Sequence, residues 1–131
     1  MTYLLDADTV TNFLQGNKKL RARLTNTGGQ WGISAITYAE LSAFLFGTKN
    51  DTVEQLVSEF LRDVDTVPFS SADALEAGRL LATLKKNGTP IGPADTLIAG
   101  HALSLGLTLI SNNTRHFVHV PDLKLDNWYE D

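Results

Sequence analysis

Four acids stand out by where they interrupt apolar sequence. The run YLLDADTV stops at Asp6 and Asp8, Glu40 lies in SAITYAELSAF, and Asp95 lies in GTPIGPADTLIAGHA. Short apolar runs that end in turns read as buried strands, and in open α/β sheets ligands gather beyond the carboxyl ends of the strands. Asp6 is expected to close a first strand, Glu40 to lie in the first turns after a second, and Asp95 to open a helix, while SNNTRHF follows a later strand ending at Ser111. In a parallel sheet these positions converge on one rim. Carboxylates gathered there without Lys or Arg partners repel one another, and a divalent cation is the usual way to stabilise such a cluster at neutral pH. Oxygen ligands select Mg²⁺, with Mn²⁺ as the alternative, and Mg²⁺ keeps several waters and binds phosphate oxygens. The chemistry that follows is metal-assisted phosphodiester hydrolysis, with a carboxylate positioning or deprotonating the attacking water.

Each acid also has an ordinary local role. Thr37-x-x-Glu40 matches a helix capping box, and on sequence alone that role is favoured for Glu40. Asp95 follows Pro93 at a helix start, where an acid complements the helix dipole. Asp6 and Asp8 suit a turn or cap before the segment at Thr9. Ser34 and Thr37 are candidates to orient Glu40 or a water beside it. His101, mid-helix among apolar neighbours, fits a satisfied core or interface histidine better than a ligand. Trp31 and Trp128 fit buried packing better than stacking on bases.

The acids need a scaffold, and the rest of the chain describes one. Candidate strands are Thr2 to Asp6, Gly32 to Ser34, Asp65 to Phe69 and Leu107 to Ser111, with an edge strand near Leu123 to Asp126. Helical patterns lie between most of them. Val53, Leu56, Val57, Phe60, Leu61 and Val64 form one apolar stripe. In PFSSADALEAGRLLATLKKNG, Ser70 or Ser71 caps a helix whose buried face is Ala77, Leu80, Leu81 and Leu84, and Gly88 terminates it. A further helix runs from Pro93 to Gly106. Strands alternating with helices imply right-handed crossovers and a mostly parallel sheet covered on both faces.

The 131 residues fit a single domain, residues 1–131, with neither repeat nor low-complexity segment. The absence of cysteine excludes disulfides and thiolate metal sites, which is compatible with a reducing, cytoplasmic setting. The most apolar segment, Leu97 to Ile110, is too short to span a bilayer, and the N-terminus lacks signal-peptide character. The net charge of -4 argues against a general nucleic-acid binder. Positive charge is nevertheless concentrated at Lys18, Lys19, Arg21 and Arg23, where a solvated helix face and a phosphate-binding patch fit equally well.

These residues resemble PIN-domain ribonucleases and, within them, VapC-type toxins of bacterial toxin–antitoxin pairs. The likeness covers nearly the whole chain through YLLDAD, SAITYAEL, GTPIGPADTLIAGHA, SNNTRHF and VPDLKLDNWYED. It implies a three-layer α/β/α PIN-like fold, an Mg²⁺- or Mn²⁺-dependent endoribonuclease, a homodimer, and a cognate antitoxin that occludes the active site. It carries the family's metal-binding acids onto Asp6, Glu40 and Asp95, and its fourth motif onto Asn113, beside Ser111 and Asn112. Many family members have an acid in that motif. The neutral amide of Asn113 contributes no charge, and Asp8 either restores it or only caps the next helix. Arg115 and His116 stand near the proposed rim, and with Lys18 and Lys19 are candidates for contact with RNA or the antitoxin. The subgroup that looks closest cleaves initiator tRNA in its anticodon region. Two other readings compete: a catalytically weak PIN-fold module that binds RNA or antitoxin, supported by Asn113, and a haloacid-dehalogenase-like phosphatase with Asp6 as nucleophile and Asp8 as general acid.

Overall fold

A computed structural model of the chain describes residues 1–128; Tyr129, Glu130 and Asp131, at the end of the VPDLKLDNWYED motif, lie outside the described residues. β1 (Tyr3–Leu5) leads through α1 (Ala7–Leu14) and α2 (Lys18–Asn26) to β2 (Trp31–Ser34), and α3 (Ala35–Gly47) and α4 (Asp51–Asp63) lead on to β3 (Thr66–Val67). α5 (Ser71–Lys86) and α6 (Pro93–Leu105) return to β4 (Thr108–Ile110), and α7 (Thr114–Phe117) precedes β5 (Leu125–Asp126). The strands pair in parallel in the order β3-β2-β1-β4-β5. Each expected strand is present; β2 begins one residue earlier than expected, at Trp31, and the other four are shorter. The ladder ends where flanking residues turn into caps, as Asp6 and Ser34 do.

Alternation along the strands divides the core into two layers. Leu5, Ile33 and Ile110 face Val10, Leu20, Leu41, Val57 and Phe60 from α1 to α4. Leu4 and Leu109 face the other way, toward Leu80, Leu84, Ile98, Ala102 and Phe117. Each such side chain, fully buried, contributes about 1.5–3 kcal/mol, so the three-layer sandwich follows from the strand pattern. The sequence-based stripes need two corrections. Leu56 is 42% exposed and Leu81 is 40% exposed, because each lies just off the stripe that its helix turns inward.

The chain order makes β1 central. From β1 the sheet grows toward β2 and β3, and the α5–α6 crossover then places β4 on the opposite side of β1. The gap between the carboxyl ends of β1 and β4 is therefore the topological switch point, where an α/β sheet opens a crevice. α6 carries Asp95 to that crevice and packs closely on α5. At Gly100 an added Cβ would lie 2.5 Å from the Ala77 Cα, so the two helix backbones touch there. Gly100→Ala is expected to cost about 1–3 kcal/mol in urea denaturation, because the contact is backbone and has no flexible end to yield. Gly78→Ala on the open side of α5, with nothing within 4 Å, serves as the control and is expected to stabilise by about 0.5–1 kcal/mol.

Candidate active site

Asp6 occupies the switch point as both cap and clamp. As the N-cap of α1 it accepts the Thr9 backbone N–H on Oδ1 at 2.9 Å. Its Oδ2 accepts the Ser111 hydroxyl at 2.5 Å, joining the ends of β1 and β4. The Thr9 hydroxyl reinforces the same seam by donating to the Ile110 carbonyl at 2.9 Å. Burial pushes the Asp6 pKa up, and its hydrogen bonds from Ser111 and Thr9 oppose that only in part. Asp6 is thus both the expected cap and a rim acid, since each carboxylate oxygen keeps a second lone pair beyond the hydrogen bond it accepts. Asp8 follows in the first turn of α1 and is exposed.

Glu40 is not part of a capping box. Helix α3 starts earlier than the Thr37-x-x-Glu40 spacing suggests, because Ser34 caps it, its hydroxyl accepting the Ile36 N–H at 3.0 Å. That places Thr37 and Glu40 inside the helix, one turn apart on the same side. Thr37 Oγ1 and Glu40 Oε1 are both buried without a hydrogen-bond partner. Burial pushes the Glu40 pKa up, and the charges of Asp95, Asp6 and Asp8 push it further. The four acids predicted from the sequence therefore share one electrostatic neighbourhood.

The fourth motif closes the rim from β4. Asn113 donates its backbone N–H to Ser111 Oγ at 2.9 Å, which passes the Asp6 seam into the loop. Its Nδ2 lies 3.0 Å from His116 Nδ1 and 3.4 Å from Asp95 Oδ2, and His116 Nδ1 is also 3.4 Å from Asp95 Oδ2. The 3.4 Å contacts are long, so this corner is loosely held. Asp8, Asn112, Asn113, Thr114, Arg115 and His116 line an open polar pocket of about 500 Å³ beside it.

The basic cluster on α2 is divided. Arg21 donates to the Phe13 carbonyl at 2.7 Å and lies over the Phe13 ring, while Arg23 lies over Trp128 and 3.6 Å from Asp126. Those two serve packing. Lys18 and Lys19 lie at the exposed start of α2, outside the rim pocket. Trp128 is buried against Tyr3, and Trp31 is half-buried and stacked on Phe60, as expected of packing residues. The sequence reading missed an apolar groove of about 390 Å³ between α1, α3 and α4, lined by Leu14, Leu41, Phe44, Val53 and Leu56, with Glu40 at its wall. Its one sequence signal is AFLFG at the end of α3, which leaves Phe44 55% exposed and Phe46 87% exposed.

The donor set suits a hard divalent ion: all-oxygen acids, with a partnerless Glu40 oxygen among them. Among the described residues no three His, Cys, Asp or Glu side chains stand close enough together to hold a metal ion as they are placed. Mg²⁺ needs no such group, because it is commonly bound through one or two carboxylates with waters and substrate phosphates.

A parallel α/β/α sandwich with an acidic rim at its switch point defines the class: an α/β protein whose candidate site lies at the carboxyl ends of its central strands. The chain belongs to the PIN-domain family, whose model matches residues 3–123. It is similar to the tRNA(fMet)-specific endonuclease VapC of Shigella flexneri, 31% identical over 98% of each chain, and to Ribonuclease VapC1 of Haemophilus influenzae (strain R2866), 33% identical over 98% of each. The DNA-bound VapBC structure from Salmonella typhimurium matches with a TM-score of 0.91, 28% identity and 98% coverage of each chain. The chain thus falls within the VapC-type ribonucleases. The phosphatase reading is set aside on the same grounds.

The Glu40 environment has a stability consequence. A carboxyl whose pKa is raised by folding contributes stability when protonated, and that contribution is lost as pH rises through the folded-state pKa. In the presence of chelator, Glu40→Gln is expected to melt at a higher temperature than the parent at neutral pH. The gap is expected to close by about pH 4, below the ordinary glutamate pKa. Melting curves across that range check the sign; a gap that widens toward acid would refute it.

Proposed function

We propose that this chain is the endoribonuclease toxin of a toxin–antitoxin pair, hydrolysing RNA phosphodiesters at the rim formed by Asp6, Glu40, Asp95 and Asn113. The observation that carries this reading is the buried, partnerless Glu40 oxygen within the field of three other acids. A site kept so strained in charge is built for a cation and an anionic substrate rather than for stability. Asp6, Glu40 and Asp95 would hold Mg²⁺, or Mn²⁺ in its place, and the ion would supply a Lewis acid for the phosphate oxygens and the attacking water.

The chain's own residues supply the rest. The Glu40 carboxylate, whose raised pKa favours proton uptake, takes the proton of the attacking water. Asp6, locked by Thr9 and Ser111, gives a fixed anchor, while Asp95 sits in the first turn of α6. Asn113 and His116 stand loosely beside Asp95, each 3.4 Å from Oδ2, and exposed Arg115 at the rim pocket meets the RNA phosphate. Asp8 adds negative charge at the same rim where the fourth motif is neutral. The similarity to the S. flexneri tRNA(fMet)-specific endonuclease supports initiator tRNA as the substrate, and a cytoplasmic site of action with it. The likeness to the solved VapBC complexes supports a cognate antitoxin, and we place its apolar segment in the groove beside Glu40. The exposed Leu75 and Leu81 of α5 suit a homodimer contact, which sedimentation of the antitoxin-free protein would test.

Purified protein, initiator tRNA and a control RNA pool, with Mg²⁺, Mn²⁺ or chelator, test the activity. Asp95→Asn is expected to lower cleavage by about a hundredfold or more while leaving the melting curve cooperative. RNA binding that survives the substitution, with no metal-dependent cutting by either protein, would instead favour the binding module. Phe44→Asp on the groove is expected to weaken antitoxin capture by at least about tenfold, measured by titration calorimetry, with cleavage unchanged.

A further inference from the structure

Behind the acidic rim lies a second polar cluster that the cleavage chemistry does not use. Ser34, His101 and Asp73 are all buried, the first two with no exposed surface. His101 Nδ1 is 2.7 Å from Ser34 Oγ, and its Nε2 faces Asp73 Oδ2 at 3.5 Å. Phe69 covers the imidazole edge-on, with ring centroids 5.0 Å apart. Asp73 is itself tied into the α5 capping box through Ser70.

The proton positions follow from the neighbouring groups. A bare Nε2 lone pair facing the Asp73 carboxylate would be repelled, so the imidazole proton is assigned to Nε2 and Nδ1 is left to accept the Ser34 hydroxyl, whose oxygen accepts the Ile36 N–H. Nε2 lies near Asp73 without meeting hydrogen-bond geometry to it, so it is a buried polar atom without a hydrogen-bond partner. Burial lowers the His101 pKa more than Asp73 and the Pro68 backbone raise it, which agrees with a neutral ring. The atoms run in the order of a hydrolase triad, but the Ser34 hydroxyl is committed to a helix cap and the cluster is closed to solvent.

Its position is what matters. Ser34 is both the last residue of β2 and the cap of α3, the helix that carries Thr37 and Glu40. His101 is on α6, the helix that carries Asp95. Because Glu40 Oε1 has no hydrogen-bond partner, the placement of this oxygen is inherited from the α3 backbone. We propose that His101 is a positioning residue for the acidic rim: by accepting the Ser34 hydroxyl it fixes the start of α3 and so sets Glu40 against Asp95. The inference rests on the nuclease reading above.

Two isosteric substitutions separate the ends of the ring. His101→Asn puts an amide oxygen near the Nδ1 position and keeps an acceptor for Ser34. His101→Gln reaches toward the Nε2 position, keeping a donor near Asp73 while leaving the Ser34 hydroxyl without its acceptor. Cleavage kinetics are measured together with Mn²⁺ affinity by electron paramagnetic resonance, using the metal alone. His101→Gln and Ser34→Ala are each expected to lose about tenfold in kcat, with KM for RNA unchanged and Mn²⁺ bound more weakly. Their double mutant should be no worse than either alone, His101→Asn should stay within about twofold of the parent, and Ser34→Thr should recover what Ser34→Ala loses. Parent-like kcat and Mn²⁺ affinity in Ser34→Ala and His101→Gln would overturn the proposal, as would equal losses in His101→Asn and His101→Gln. If neither His101 variant folds, Ser34→Ala against Ser34→Thr decides it by the same readouts. A parent protein that binds Mn²⁺ but cuts no RNA would sink the nuclease reading, and the positioning role would then be judged from Mn²⁺ affinity alone.

Discussion

One buried carboxylate sets the geometry of the active end of this molecule. Asp6 caps α1 through the Thr9 N–H and clamps β1 to β4 through the Ser111 hydroxyl. A charged acceptor that is nearly buried tolerates that position only because these donors offset part of its desolvation. The same bonds locate the crevice between the two strands. The loop that follows is registered from there, because Asn113 donates its backbone N–H to the Ser111 hydroxyl.

Glu40 is held in the opposite way. Where Asp6 is fixed by direct hydrogen bonds, the buried oxygen of Glu40 lacks a partner and lies in the repulsion of Asp95, Asp6 and Asp8. The rim therefore combines one rigid anchor with one electrostatically strained group. Such a pair gains little for the folded chain by itself and would gain much from the cation and anionic ligand of the proposed function. Strain of this kind at a site is offset by the two apolar layers on either side of the sheet.

The groove on α1, α3 and α4 adds a geometric link between recognition and chemistry. Glu40 belongs to both its wall and the acidic rim. A partner seated among Leu14, Leu41, Phe44 and Val53 would lie against the same carboxylate that the proposed reading gives to the substrate's phosphate. Binding and inhibition would then share a surface, with no transmitted conformational change needed to connect them.

Much of this was legible in the sequence. Short apolar runs marked the strands, Ser70 and Gly106 marked helix ends that the structure places as expected, and the acids at strand and helix termini outlined the rim. These features depend on short-range periodicity and capping, which a linear chain displays directly. Other features were decided by distant residues meeting. Ser34, rather than Thr37, caps α3, because β2 ends there and His101 receives the Ser34 hydroxyl from 67 positions away. The bond from Ser111 to Asp6 spans 105 positions, and no spacing rule could pair them. The sequence determined which groups were available and which short segments would present them. Only the tertiary structure decided that Asp6 would be locked while a Glu40 oxygen was left without a partner, because burial and partnership depend on which elements the parallel crossovers bring together.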